Sequence, residues 1–277
     1  MDAPQLLAPG EGESIRPGFE IKVGRPELVL TETSLEPGQV GTAPHVHHHH
    51  ADAFYMLEGE LLVVLGEEEM LLGAGGFVLI PPGVVHSFRN PGPGRPRYLN
   101  IHSPAMGFDE YLRSGFRTRF DQHDPPAESG RPASEAIVWA PGDGRQLSLG
   151  DSSATIKAGS GDALGSFALI EFDLAPGFPG PVLHRHERMT DSFYVLKGKL
   201  NLRLGDDRVS AVGGSYAFVP PGNAHTFTAP EGGGVRALNL MAPAGLERYL
   251  EEVAALGGPP DPAQMAEFAS RYDFRAV

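Results

Sequence analysis

The chain has 277 residues, room for one large domain or two of ordinary size, and its 36 glycines and 26 prolines favour short strands and turns over long helices. A formal net charge of −13, with no block rich in Lys and Arg to offset it, repels phosphate backbones and anionic membrane surfaces, so nucleic acid and membranes are excluded as expected partners. The absence of cysteine removes disulfides, thiolate ligands and a cysteine nucleophile, leaving any metal to histidine and carboxylate.

No stretch approaches the roughly 20 apolar residues of a membrane span. The start, MDAPQLLAPGEGES, has neither the basic region nor the apolar core of a signal peptide, so a cytoplasmic location is expected. From Leu28 onward come short apolar or alternating segments separated by turn residues: LVLTETSL, AFYMLEGELLVVLG, FVLIPPG, HSFRN and RYLNIHS. That pattern predicts antiparallel strands with Gly and Pro at the corners, and such a run suggests a closed barrel or jelly roll. GFDEYLRSGF follows, with Phe108, Tyr111 and Leu112 on one helical face, a spacing that predicts a helix packed on the barrel. Asp121 to Glu135 is polar, rich in Pro, Ser and Ala and without apolar periodicity, and is read as a linker.

The same series then begins again. A shift of 139 residues aligns Leu28 to Pro104 with Phe167 to Pro243 without a gap, and roughly 28 of about 77 positions are identical. Gly38/Gly177, Gly59/Gly198, Pro81/Pro220, Gly83/Gly222, Phe88/Phe227 and Asn100/Asn239 are among the matched pairs. A second helix-like piece, GLERYLEEVAAL, closes the second copy. The expected organisation is two β domains, 1–130 and 131–277.

His45, His47, Asp52 and His86 recur in the second copy as His184, His186, Asp191 and His225. Side chains two apart on a strand share a face, so each His-x-His pair can offer two imidazoles to one ion, with a third imidazole and a carboxylate arriving from neighbouring strands. Such donors suit Fe, Mn, Ni, Co, Cu or Zn. A lone histidine is more often a surface or hydrogen-bonded core residue, but three of them and an aspartate recurring at one shift favour one divalent ion per barrel. His48, His49 and His50 are replaced by Glu187, Arg188 and Met189 and are read as loop residues.

Phe54, Met56 and Phe88 share strand parity with Asp52 and His86, as Phe193, Val195 and Phe227 do with Asp191 and His225, which makes them candidates for an apolar substrate pocket. Asn100 and His102 alternate with Leu99 and Ile101; if that face points inward, His102 is a candidate acid or base beside the ligands.

These residues resemble the cupin family, whose motifs read G-x5-H-x-H-x3-4-E-x6-G and G-x5-P-x-G-x2-H-x3-N. Gly38, His45, His47, Asp52 and Gly59 follow the first motif, with one extra residue before the histidines and Asp in place of Glu. Gly75, Pro81, Gly83, His86 and Asn90 match the second. In the second copy Gly177, His184, His186, Asp191 and Gly198, then Gly214, Pro220, Gly222 and His225, do the same, with Ala229 where Asn is usual. The resemblance implies an all-β bicupin of two double-stranded β-helices, each holding a metal. The shorter Asp52 and Asp191 are then either direct ligands or groups that orient one.

Among bicupins the pattern looks most like the quercetinase-type group, which implies a metal-dependent dioxygenase acting on a phenolic, flavonol-like or enolic small molecule, with Asp52 and Asp191 in catalytic positions. The alternatives are a binding or storage cupin without catalysis, or a redox-neutral isomerase or decarboxylase. A monomer and a homodimer are equally compatible with the sequence.

Overall fold

Alternation fixes which residues turn inward. In the strand Glu60–Leu65, Leu61, Val63 and Leu65 are buried while the residues between them are not, and Lys199–Leu204 repeats this with Leu200, Leu202 and Leu204 inside and Asn201 and Arg203 outside. A single glycine carries the chain from a strand of one sheet to a strand of the other, between Ala51–Glu58 and Glu60–Leu65 and again between Thr190–Lys197 and Lys199–Leu204. Gly59 and Gly198 sit at φ 73° and 86°, where an L side chain is strained, and a Cβ would meet Pro96 Cα at 3.0 Å in the first case and Gly234 O at 2.4 Å in the second.

The computed structural model describes residues 3–126, 130–258 and 260–277 and divides the chain into two compact units. The first comprises Gly12–Asp143 with Asp162–Ser166; the second comprises the chain up to Glu11, Gly144–Gly161 and Phe167–Val277. In the first, a seven-stranded sheet runs in the order Ile137–Trp139, Phe77–Ile80, Ala51–Glu58, Arg97–Ser103, Leu28–Ser34, Phe19–Arg25, Glu13–Arg16. A four-stranded sheet, Val40–His45, His86–Arg89, Glu60–Leu65, Glu68–Gly73, closes the barrel over a core that includes Phe54, Met56, Leu61, Val63, Leu72 and Val78.

The second unit repeats that order as Gln5–Leu7, Tyr216–Val219, Thr190–Lys197, Val235–Ala242, Ala168–Leu174, Ser152–Ala158, Arg145–Leu149. Its other sheet, Asp207–Val212, Lys199–Leu204, His225–Thr228, His184–Arg185, gains Arg275–Ala276 as a fifth strand. Every pairing between the named strands of the described residues is antiparallel, as a jelly roll requires.

The edge strands are exchanged. Gln5–Leu7, at the start of the chain, completes the second unit's large sheet, and Ile137–Trp139, which follows the first barrel in sequence, completes the first unit's. Both are followed by one motif, Ala8-Pro9-Gly10-Glu11-Gly12 and Ala140-Pro141-Gly142-Asp143-Gly144, so the internal repeat extends to these segments at a shift of 132.

Helices are few. Phe108–Arg113 and Leu246–Leu256 fall where periodicity predicts them, burying Phe108 and Leu112 in one and Leu246 and Tyr249 in the other. A third, Pro262–Arg271, was not anticipated, although Asp261, Pro262 and Gln264 spell a capping box with proline at the first helical position. No helix among the described residues is long and apolar enough to cross a membrane. The polar run from Asp121 is not free at its start: Val46 and His123 exchange backbone hydrogen bonds of 3.0 Å, and Asp121 is buried.

Candidate metal centres

His45 and His86 face each other across paired strands, as do His184 and His225. His47 and His186 lie just past the strand that carries the first histidine of each pair, and Asp52 and Asp191 come from the opposite sheet. A backbone bond holds the two sources together: Gly83 N–H donates to His47 O at 2.7 Å and Gly222 N–H to His186 O at 2.6 Å. Both glycines have positive φ, which the turn after Pro81-Pro82 and Pro220-Pro221 requires.

The four donor groups of each barrel are buried and their donor atoms lie within 4.8 Å of one another. Five of the six histidines are oriented by Nδ1 bonds whose lengths are 2.8 Å to Ala43 O for His45, 2.5 Å to Asp121 O for His47, 3.0 Å to Val84 O for His86, 2.9 Å to Val182 O for His184 and 3.1 Å to Asn223 O for His225. His186 Nδ1 donates to Asp273 O. With Nδ1–H spent on a carbonyl, each ring turns its Nε2 lone pair inward. Nε2 of His47 and of His186 is buried without a hydrogen-bond partner, and His47 lies 3.9 Å from the nearest oxygen of Asp52. A buried acceptor left unpaired is unfavourable in a core unless something occupies it, and a divalent cation among three imidazoles and a carboxylate meets that need.

The carboxylates are oriented just as closely. Asn100 donates to Oδ1 of Asp52 and Asn239 to Oδ1 of Asp191, while Oδ2 faces the histidines, at 3.3 Å from His86 Nε2 and 3.0 Å from His225 Nε2. Burial pushes the Asp52 carboxyl up, but His102, His47 and His86 outweigh it and hold it well below its usual range; Asp191 is likewise held low by His186 and His225. Burial, then the neighbouring imidazoles, pushes His45 and His184 down to about 3, so both are neutral and able to ligate at neutral pH.

An aspartate anchors each histidine loop. Asp121 accepts the backbone N–H of His48 and His49, and Asp273 accepts those of Glu187, Arg188 and Met189. The shared signal is Arg119-Phe120-Asp121 and Arg271-Tyr272-Asp273, which lies outside the gapless repeat.

Beyond this frame the barrels diverge. His50 is fully buried, not a surface loop residue. Its Nδ1 lies 3.0 Å from Asp121 Oδ2, its Nε2 lies 2.9 Å from His102 Nδ1, and His102 Nε2 donates to Asn100 Oδ1 at 2.9 Å. A hydrogen-bonded chain thus runs from Asp121 through two imidazoles and Asn100 to Asp52. Its two ends only accept, so its three contacts need three N–H hydrogens, whereas two neutral imidazoles carry two. Burial pushes His50 down to about 4 and His102 lower than usual, so at neutral pH the chain has room for one more proton. The second barrel has Met189 and Met241 at these positions, both in its apolar core.

The first barrel encloses a cavity of about 160 Å³ beside its histidines. His45, Asp52, Asn100 and His102 form its buried end, Phe19, Phe88, Tyr98, Phe108 and Tyr111 its wall, and Arg16, Phe116 and Gln122 its exposed end. Of the expected pocket residues, Phe88 lines this space; Phe54 and Met56 lie in the core behind it, with Phe54 against Phe88 at a ring separation of 4.9 Å. In the second barrel Phe193, Val195 and Phe227 belong to one continuous core. There Phe172 takes the ladder position of Thr33, and Phe274 stacks on His184 at 4.4 Å where Gln122 follows Asp121 in the first barrel. Asn90, whose side chain bonds Leu35 O, Glu36 O, Gly94 O and Gly92 N, supports a loop, which accounts for Ala229 being tolerated in the other copy.

Two antiparallel jelly rolls, each with a buried set of three histidines and a carboxylate, define a duplicated metal-binding β-barrel protein. The sequence profile of the cupin domain matches residues 31–102 and 170–241, and the chain belongs to that family. It is 26% identical over 267 aligned positions to quercetin 2,3-dioxygenase of Bacillus subtilis (strain 168), covering 81% of this chain and 78% of that protein. Among solved structures, a putative glyoxylate-induced protein from Pseudomonas aeruginosa superposes with a TM-score of 0.62 at 18% identity, covering 87% of this chain and 89% of the other. A salicylate 1,2-dioxygenase from Pseudoaminobacter salicylatoxidans gives 0.58 at 13% identity, covering 81% and 74%. At these identities the structural likeness carries the fold alone.

Proposed function

We propose that the chain is a metal-dependent dioxygenase whose turnover occurs in the first barrel, on a small phenolic or enolic substrate. The observation that carries this reading is the cavity opening onto His45 and Asp52 in the first barrel, where the second barrel has Phe172, Phe274 and Met241. The relationship to quercetin 2,3-dioxygenase supports the same reaction class.

His45, His47, His86 and Asp52 would hold the ion, and His184, His186, His225 and Asp191 a second one. A divalent transition metal supplies open coordination positions for oxygen donors and, if redox-active, electron transfer to dioxygen. The chain supplies the rest. Backbone carbonyls fix the imidazole tautomers, Asn100 fixes the Asp52 carboxylate, and the aromatic wall excludes water from an oxygen-sensitive substrate. A phenol or enol that binds through oxygen must lose its proton. Asp52 stands at the point of release, its carboxylate held in place by Asn100 and, behind that, by the hydrogen-bonded run of His102, His50 and Asp121. Asp191 has no such chain behind it, so the second site is assigned a structural or accessory role.

The test is metal content by elemental analysis together with oxygen uptake on catechols and flavonols. Two metal equivalents in the wild type, one in His47→Ala and one in His186→Ala, with oxygen uptake lost only in the former, are expected. Retained metal with no uptake across the panel would instead favour a binding cupin or a redox-neutral metalloenzyme.

A further inference from the structure

The exposed end of the first barrel's cavity carries a cation that the oxygen chemistry does not require. Arg16 ends the edge strand Glu13–Arg16, opposite Phe19 in the ladder, and its guanidinium lies over two rings, 5.4 Å from the centroid of Phe19 and 5.5 Å from that of Phe116. Such contacts hold a guanidinium in place through its face and leave its N–H edge unspent. Among the described residues no carboxylate pairs with it, whereas Arg25, Arg97 and Arg113 of the same unit all have acidic partners. Its charge is felt at the buried Tyr98 hydroxyl on the cavity wall.

The second barrel gives the comparison. Glu13 pairs with Ile21 and Ser14 with Glu20, matching Arg145 with Ile156 and Gln146 with Thr155; the next rung is Arg16 with Phe19 in one barrel and Leu147 with Ala154 in the other. Leu147 packs on its barrel's apolar core. A register shift between Ser14 and Arg16 adds a residue to the first barrel's edge strand. The cation on this rung therefore belongs to the barrel whose cavity Phe19 and Tyr98 line, and the apolar residue to the barrel whose core it joins.

Size restricts the occupant. About 160 Å³ is close to the roughly 150 Å³ of an engineered cavity that takes one benzene, so one ring with small substituents fills the space between His45 and the exposed end, and a larger phenol would extend past Arg16 into solvent. Resting on the reading above, we propose that the first barrel binds a single-ring aromatic acid, its oxygen donors toward His45 and Asp52 and its carboxylate at the Arg16 guanidinium. Guanidinium and carboxylate make paired charge-assisted hydrogen bonds, and Phe19, Phe88 and Phe116 offer faces and edges to the ring between the two ends.

Calorimetric titration of the zinc-loaded full-length protein with 3,4-dihydroxybenzoate and with catechol tests this without any turnover. The acid is expected to bind at one equivalent per chain and at least tenfold more tightly than catechol. Arg16→Met should erase that difference while leaving catechol affinity unchanged, and Arg16→Lys should restore part of it. Equal affinity of the two probes in the wild type, or an acid affinity untouched by Arg16→Met, would overturn the proposal, as would binding of two equivalents. Oxygen uptake decides the reaction class separately: a bound acid that is never oxidised on the iron- or manganese-loaded protein would overturn the dioxygenase reading and leave this one standing.

Discussion

His50 and His102 are the residues at which the two copies differ most in chemistry while agreeing in place. In the first barrel they link Asp121 to Asn100 and so to Asp52; in the second, Met189 and Met241 fill the same space with apolar bulk. The exchange of methionine for histidine at both positions has therefore already been accommodated by this fold. The double variant His50→Met with His102→Met is expected to keep two metal equivalents and a wild-type KM while kcat falls by about 10²-fold or more, the size of effect usual for a lost acid or base. Steady-state kinetics beside elemental analysis checks it; an unchanged kcat would remove the chain from the mechanism. The sequence made the eight candidate ligands legible because they recur at one shift. It did not make His50 legible, since its neighbours His48 and His49 are exposed and what separates it from them is a buried ring held between Asp121, 71 residues away, and His102, 52 residues away.

At the scale of elements, the strands that finish each barrel are the informative ones. Gln5–Leu7 pairs with Tyr216–Val219, and Leu6 packs on the second barrel's core. Leu6→Asp places a charge on that face and is expected to destabilise the second unit by about 1–2 kcal/mol, the scale for a half-buried leucine. Metal at the second site should then be lost at lower denaturant than metal at the first, measured by zinc release during urea unfolding. Simultaneous loss from both sites would show that the strand does not act on its own unit. Helix Pro262–Arg271 has a comparable role, because it delivers Asp273 to the backbone of Glu187, Arg188 and Met189 and its carbonyl to His186. Periodicity located the two longer-anticipated helices well. The third was missed although Met265, Phe268 and Tyr272 recur at helical spacing behind the cap Asp261-Pro262, because the stripe is short and flanked by small and polar residues.

For the whole molecule, buried imidazoles set the response to mild acid when metal is absent: His45 and His184 at the two sites, and His50 and His102 beside the first. His45 and His184 have folded pKa values of about 3 against 6.5 in the unfolded chain, so between those limits the unfolded state binds protons that the folded state refuses. Stability is therefore lost as pH falls below 6.5, by about 1.5 kcal/mol per histidine on reaching pH 5. His186 works against this: burial pushes it down, but Asp191 and Asp273 outweigh that and raise it, so its contribution is kept in acid. Thermal unfolding of chelator-stripped protein should show Tm falling from pH 7 to pH 5, and a flat Tm would contradict the burial assigned to these imidazoles. The sequence by itself determined the all-β class, the duplication and the ligand sets, because strand alternation and a gapless repeat are local signals that survive in one dimension. Only the tertiary structure decided which residues line the first barrel's cavity, that the edge strands are exchanged and that Arg16 and Asp121 belong to the first barrel's site, because those facts depend on residues far apart in the chain whose contacts follow no period.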